Sequence, residues 1–403
     1  ITGTGLASFI LFRNHRQALL TSMLLAVLPY TVFFDRMALS DSLLSMFLIW
    51  TFVFSLLSFK HRRLDLSMLA GFTLGFAWLT KSPAIFAFLL LPLNLLLLPK
   101  LNIKSVLSTV YYLLFTYAIA YGMYNILRLG PEFHQIALRN KDYVFPFLEV
   151  LSHPLDPLKP HLFDSLRFYL YLATPFGLVA AIGGVFSGSR RPRFLVAIWC
   201  ILPILAQSFI AKQFTARYLL FTIPFAAILI ANAIEHIGQR TKKHFLVFLT
   251  ASLVVIPAIY LDYLLIYKPE SAPLPRIETS GYLEEWTAGY GLKESAAFFK
   301  EKAKSGKIFI GTEGFFGTLP DGLQIYLEGT PNIRVIGVGW PVVEVHPSLI
   351  NSLVDNEVYL LVNQSRLNLL PQANGLVLIK EYPKAKPKDS SPADAVVLYQ
   401  VLP

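Results

Sequence analysis

The stretch DSLLSMFLIWTFVFSLLSFK, Asp41–Lys60, decides the fold class. Between its two terminal charges lie 18 residues without an ionisable side chain. A helix rises about 1.5 Å per residue, so a run of this length crosses the hydrocarbon core of a bilayer. Runs of the same kind recur on both sides of it. The pattern predicts spans at 1–12, 17–34, 42–59, 66–80, 83–98, 105–127, 167–186, 194–211, 217–234 and 245–267. Two of these, 66–80 and 83–98, are short for a straight crossing, and Pro83 and Pro92 mark breaks or tilts there. Composition agrees: 55% of the residues are hydrophobic, only 15% are charged, and the mean hydropathy is +0.54. A soluble domain carries about a quarter charged residues.

The net charge of +10 is unevenly spread. From residue 268 onward thirteen basic residues face fifteen acidic ones, so the first 267 residues hold the entire excess. Those cations sit in short loops, Arg13–Arg16, Lys60–Arg63, Pro99–Lys104, Arg190–Arg193 and Arg240–His244, each an even number of expected crossings from the others. The positive-inside rule places such loops in the cytoplasm and explains the charge better than a nucleic-acid partner does. Asp35–Asp41, Lys81–Ser82, 128–166, Lys212–Ala216 and everything after Tyr267 then face outward. The aromatic content of 128–166 (Phe133, Tyr143, Phe145, Phe147) predicts partial packing at the interface. The single cysteine, Cys200, lies inside an apolar run, which excludes an intramolecular disulfide and a cysteine metal cluster.

Beyond Tyr267 the pattern changes. Residues 1–267 read as a polytopic all-α membrane domain and 268–403 as a small extracytoplasmic α/β domain. An amphipathic helix is expected at Leu292–Lys304, with Ala296, Phe299 and Ala303 on one face. Strands are expected at Lys307–Gly311, Arg334–Gly339, Val358–Val362, Gly375–Lys380 and Ala395–Val401. Helical stretches at Gly322–Leu327 and Pro347–Val354 separate the first three, which predicts a sheet at least partly parallel.

Most ionisable residues of the membrane part fall at span ends, which disfavours an ion-coupled transporter. Three strings stand out on the outward side: Arg36-Met-Ala-Leu-Ser-Asp41, Leu79-Thr-Lys81-Ser-Pro83, and Arg217-Tyr218-Leu-Leu with Pro224. The bland readings are that Ser40 or Asp41 caps the following helix and that Lys81 is a snorkelling anchor. The loop Gly311–Gly317 follows a strand and invites a phosphate-binding reading beside that of a tight turn. Asn363-Gln364-Ser365 has the form of a glycosylation sequon.

The three strings resemble the GT-C membrane glycosyltransferases, in particular their protein O-mannosyltransferase and aminoarabinose transferase branch. Trp286-Thr-Ala-Gly-Tyr-Gly-Leu292 and the Gly311–Gly322 stretch resemble the outer domain of bacterial members. No Trp-Trp-Asp triplet is present, which disfavours the oligosaccharyltransferase branch. The resemblance implies transfer of a sugar, mannosyltransferase-like and inverting, from a polyprenyl-phosphate carrier to an acceptor protein, lipid or glycan at the outer face of the plasma (inner) membrane. The family's main acid lies in its first outer loop. Because this sequence opens at Ile1 inside an apolar run, the first span and that loop are expected upstream of it. Asp41 matches the second acidic position, a supporting acid, with Asp35 beside it. Lys81 and Arg217, with Arg36 as a third, are the candidates to hold the carrier phosphate, and Lys81 and Arg217 are expected to be dispensable for folding. The resemblance fixes no cofactor: the lipid-linked sugar is the donor substrate, and participation of a divalent metal is left open. The other reading is a non-catalytic lipid or glycan transporter with an outer binding domain.

The loop alternation gives a direct test. In a Cys200→Ala background, a membrane-impermeant thiol reagent is expected to label a cysteine at Ser280 and not one at Ser189. The reverse result refutes this topology.

Overall fold

The computed structural model describes residues 1–97, 102–388 and 391–403. The end of the expected span 83–98 and part of the Pro99–Lys104 loop lie outside the described residues. The chain divides into two compact units, Ile1–Pro273 and Leu274–Pro403.

The first unit is helical and is that of a multi-pass membrane protein. Among the described residues, five helices are long and apolar enough to cross a bilayer: Asp41–His61, Ile103–Leu129, Arg190–Ile210, Ala216–Thr241 and His244–Tyr267. Shorter apolar helices occupy Thr2–Phe12, Leu64–Thr80 and Ser82–Leu97. Burial sorts them. The apolar window of Ala216–Thr241 is 89% buried within the protein, whereas that of His244–Tyr267 is 17% buried and leaves most of its surface for lipid. Several polar side chains inside the bundle pair with one another: Asn94 donates to Ser55 Oγ at 2.8 Å, and Thr51 to Thr73 at 3.0 Å. Such groups have no water to turn to in a bilayer.

Two expected spans are not straight. The run 17–34 breaks at Leu28, extended at φ −70° and ψ 125°, because Pro29 opens a new helix, Pro29–Phe34. The Leu25 carbonyl, which Pro29 leaves without an amide donor, accepts from Thr31 Oγ1 at 2.6 Å, and the same hydroxyl lies 2.8 Å from Leu28 O. The run 167–186 is divided between Leu155–Leu172 and Pro175–Phe186, which meet at 114°. Thr174 takes φ 65° at that corner, its hydroxyl caps Gly177, and Pro175 starts the next helix. A bend of this size makes 167–186 a broken span or a re-entrant segment instead of one crossing. The segment 128–166 is not a bare loop. It forms the helices His134–Tyr143 and Phe147–Ser152 and the start of Leu155–Leu172, and between the first two it pairs with 210–212 through Phe145 N to Ile210 O at 2.9 Å.

The second unit is a five-stranded sheet of order β2-β1-β3-β5-β4. Strands β1 (Ile308–Thr312), β2 (Ile333–Gly337) and β3 (Glu357–Asn363) are parallel, with β1 between the other two. Strand β5 (Ala395–Val401) runs antiparallel to β3 and to β4 (Leu376–Pro383). Alternation along β1 sends Ile308 and Ile310 to one face, against Phe299 of helix Leu292–Lys302 and Leu323 of helix Leu323–Leu327. Phe309 goes to the other face, against Leu349 of helix Pro347–Ser352. The result is a three-layer α/β unit, partly parallel as its sequence pattern implies.

Gly184 marks a tight helix contact against backbone. A Cβ there would fall 2.1 Å from the Leu229 carbonyl oxygen, whereas one at Gly183 would meet Ala233 at 3.9 Å. Gly184→Ala is therefore expected to cost about 1–3 kcal/mol as an overpacking change, and Gly183→Ala to be close to neutral. Thermal unfolding of the two variants in detergent checks this, and equal behaviour refutes it.

Candidate functional site

Asp41 opens the helix Asp41–His61 and is only 3% exposed. Ser40 stands at the cap position without a side-chain cap bond. The Asp41 carboxylate instead takes the Lys81 ammonium, whose Nζ donates to both oxygens at 2.7 Å. The capping reading is thus replaced by an ion pair. Lys81 reaches Asp41 because the helix Leu64–Thr80 stops there: Lys81 is extended, at φ −159° and ψ 147°, and Pro83 follows within the next helical turn.

The third string enters at the same place. Ala216–Thr222 is a short 3-10 helix that leads into the buried helix Ile223–Thr241. Lys81 Nζ lies 5.2 Å from the centre of the Tyr218 ring, and the Arg217 guanidinium carbon lies 5.3 Å from it. Tyr30, fully buried, anchors the turn by donating to Ala216 O at 2.7 Å. Asp41, Lys81 and Arg217, distant in sequence, therefore share one locus around Tyr218. Cation–ring contacts of this length stabilise by about 0.5–2 kcal/mol and hold both cations in place.

Asp35 and Arg36 are exposed and turn elsewhere. Asp35 accepts from Ser42 Oγ at 2.5 Å. Arg36 donates to Leu265 O at 3.5 Å and lies in the field of Asp262, both on helix His244–Tyr267, and so turns toward that helix. Asp262 escaped the sequence reading, although an acid inside an apolar helix is the expected signal of a constrained position. One of its carboxylate oxygens is shut off from solvent without a hydrogen-bond partner among the described residues. Tyr218 was visible only as the residue after Arg217. Among the described residues no three His, Cys, Asp or Glu side chains come together as a metal-ligand set, and both Asp41 oxygens are taken by Lys81.

In the second unit the Gly311–Gly317 loop is a turn. Gly314 and Gly317 take φ 70° and 100°, and Gly314 N donates to Gly339 O at 2.8 Å. The Gly317 amide, which a phosphate would need, already donates to Asp321 at 2.8 Å. Asn363 of the sequon is 1% exposed, with Nδ2 donating to Glu313 at 2.6 Å, and is closed to glycosylation in the folded chain.

Residues 7–125 match the family model of the dolichyl-phosphate-mannose-protein mannosyltransferases. The match supports a glycosyltransferase of the GT-C type. It spans Asp35, Arg36, Asp41 and Lys81 and ends before Arg217. The resemblance read from the sequence is borne out over that stretch. No curated protein matches the chain. The family implies a lipid-linked sugar donor and an acceptor at the membrane.

The ion pair carries its own test. Removing one partner of a buried pair strands the other charge and costs about 3–5 kcal/mol. Lys81→Ala is expected to lose stability on that scale, contrary to a purely ligand-binding lysine, and adding Asp41→Asn is expected to restore part of it. Unfolding of the single and double variants in detergent measures the coupling, and additive losses refute it.

Proposed function

We propose that this protein transfers a sugar from a polyprenyl-phosphate carrier to an acceptor at the outer face of the plasma membrane, with inversion at the anomeric carbon. The observation that carries this reading is the convergence of Asp41, Lys81 and Arg217 on Tyr218. In such a transfer the acceptor oxygen attacks the anomeric carbon and gives up its proton to a carboxylate, while the bond from that carbon to the carrier phosphate breaks. Negative charge grows on the departing phosphate and calls for preorganised cations. Arg217 offers the planar fork that matches phosphate oxygens, and Lys81 a point charge.

The geometry refines the role of Asp41. With both oxygens on Lys81, Asp41 is a positioning residue that holds the ammonium at the mouth of the locus. This reading gives the phosphate contact to Lys81 and Arg217, and leaves Arg36 and Asp35, bonded to Leu265 and Ser42, at its margin. A lipid-phosphate donor fits span-end cations, because a headgroup lies at that depth while its chain stays in the hydrocarbon.

Asp41→Asn is expected to insert and fold, and to transfer sugar at least about a hundredfold more slowly, a barrier increase of about 2.7 kcal/mol. Arg217→Gln is expected to weaken carrier binding as well. Transfer from a polyprenyl-phosphate sugar in liposomes, beside a thermal-unfolding control, reads both. Near-wild-type turnover in both variants refutes the site, and carrier binding without any turnover by the unmodified chain returns the transporter reading.

A further inference from the structure

The second unit contains a polar network that sugar transfer does not use. In doubly wound sheets, ligands bind outside the carboxyl ends of the parallel strands, at the point where the strand order reverses. The order β2-β1-β3 places that point between β1 and β3. Glu313 follows β1, and the segment Asn363–Arg366 closes β3. The Glu313 carboxylate, 1% exposed, accepts from Asn363 N at 2.7 Å and from Asn363 Nδ2 at 2.6 Å, which closes the floor of the crevice. Lys384 donates to Asn363 Oδ1 and, at 2.9 Å, to Asp394, and Asp394 accepts from both Ser365 N and Ser365 Oγ at 2.9 Å. The loop that carries Arg366 is thereby tied at two points.

Arg366 stands above this floor. Its guanidinium carbon lies 3.6 Å from the centre of the Trp286 ring and 4.7 Å from that of Trp340. Its Nε forms an ion pair with Glu313 at 3.7 Å, without a hydrogen bond, and the guanidinium makes no hydrogen bond among the described residues, so its N–H donors are held by charge and not by direct bonds. Its side chain keeps 14% of its surface exposed. The Gly314–Gly339 pairing brings the two rim loops together, and Phe315 and Trp340 stand 73% and 60% exposed there. A guanidinium already clamped by two rings loses little freedom on binding, and its fork of N–H donors matches a carboxylate or phosphate.

We propose that the loops after β1, β2 and β3 form an oxyanion-binding site, in which Arg366 takes the carboxylate or phosphate of a small ligand whose uncharged part rests on Trp340 and Phe315. The two sources of that chemistry are a soluble acid, such as an acidic or phosphorylated sugar, and a lipid headgroup. The site stands independently of the transfer reaction in the first unit.

The test uses the full chain in phosphatidylcholine nanodiscs, titrated with inorganic phosphate, glucuronate or neutral glucose while tryptophan emission is followed. A saturable change with phosphate or glucuronate, none with glucose, and at least about tenfold weaker response in Arg366→Gln and in Arg366→Lys supports a soluble ligand. An emission shift confined to discs containing phosphatidylglycerol, and lost in Arg366→Gln, supports the headgroup. Hydrogen exchange of the β1 and β3 amides separates a binding loss from a folding loss, and Arg366→Lys is read if Arg366→Gln loosens the sheet. No response of the unmodified chain to any of these anions overturns the site, as does a response that survives in Arg366→Gln.

Discussion

A carboxylate withdrawn from water at a membrane helix end calls for a partner cation, and the Asp41–Lys81 pair meets that constraint for the whole locus. At 3% exposure Asp41 has given up nearly all of its water, and Lys81 retains 25% of its side-chain surface. Their bond joins the start of the helix Asp41–His61 to the end of the helix Leu64–Thr80, so two helix ends are held together by charge as well as by packing. Lys81 in turn faces Tyr218, which extends the restraint to the entry of the most buried helix in the bundle. The pair therefore has a structural and an electrostatic role at once, and these cannot be separated by removing Lys81 alone.

Apolar run length made the span Asp41–His61 legible, and also His244–Tyr267, because a bilayer demands little more than length and hydropathy there. The same signal could not reveal the breaks at Leu28 and Thr174, since a bent helix and a straight one bury the same residues. Pro29 and Pro175 were the available cues, each at the first position of a new helix. In the second unit all five strands were legible within a few residues from β-branched runs, as was the parallel core from its intervening helices.

The site was legible as three strings and opaque as a geometry. Charge at a span end says that a residue is near the headgroups, but not which neighbour it faces. Arg36 illustrates this: one turn before the helix that holds Asp41, it bonds to Leu265 and looks toward Asp262. Asn363 illustrates the converse. Its sequon reads as a surface feature, yet its amide is spent on Glu313 inside the sheet edge.

The two units handle buried charge by one rule. In the membrane unit a single pair suffices, because Lys81 keeps partial contact with solvent. In the second unit Lys384 has a side chain with no exposed surface, and burial pushes its ammonium down while Asp394 and Glu313 oppose that. Three acceptors, from Asn363, Asp394 and the Glu285 carbonyl, match the three donors of an ammonium. Hydrophobic replacements of similar volume often stabilise a fold as much as such a network does, so stability alone is a weak reason to build one. What the network does supply is position. It fixes the loop between Asn363 and Arg366 by side-chain and backbone bonds, and a group that must meet a ligand gains from having its supports locked before the ligand arrives. The buried charges thus act on Arg366 through the loop that carries it, in the way that Asp41 acts through Lys81.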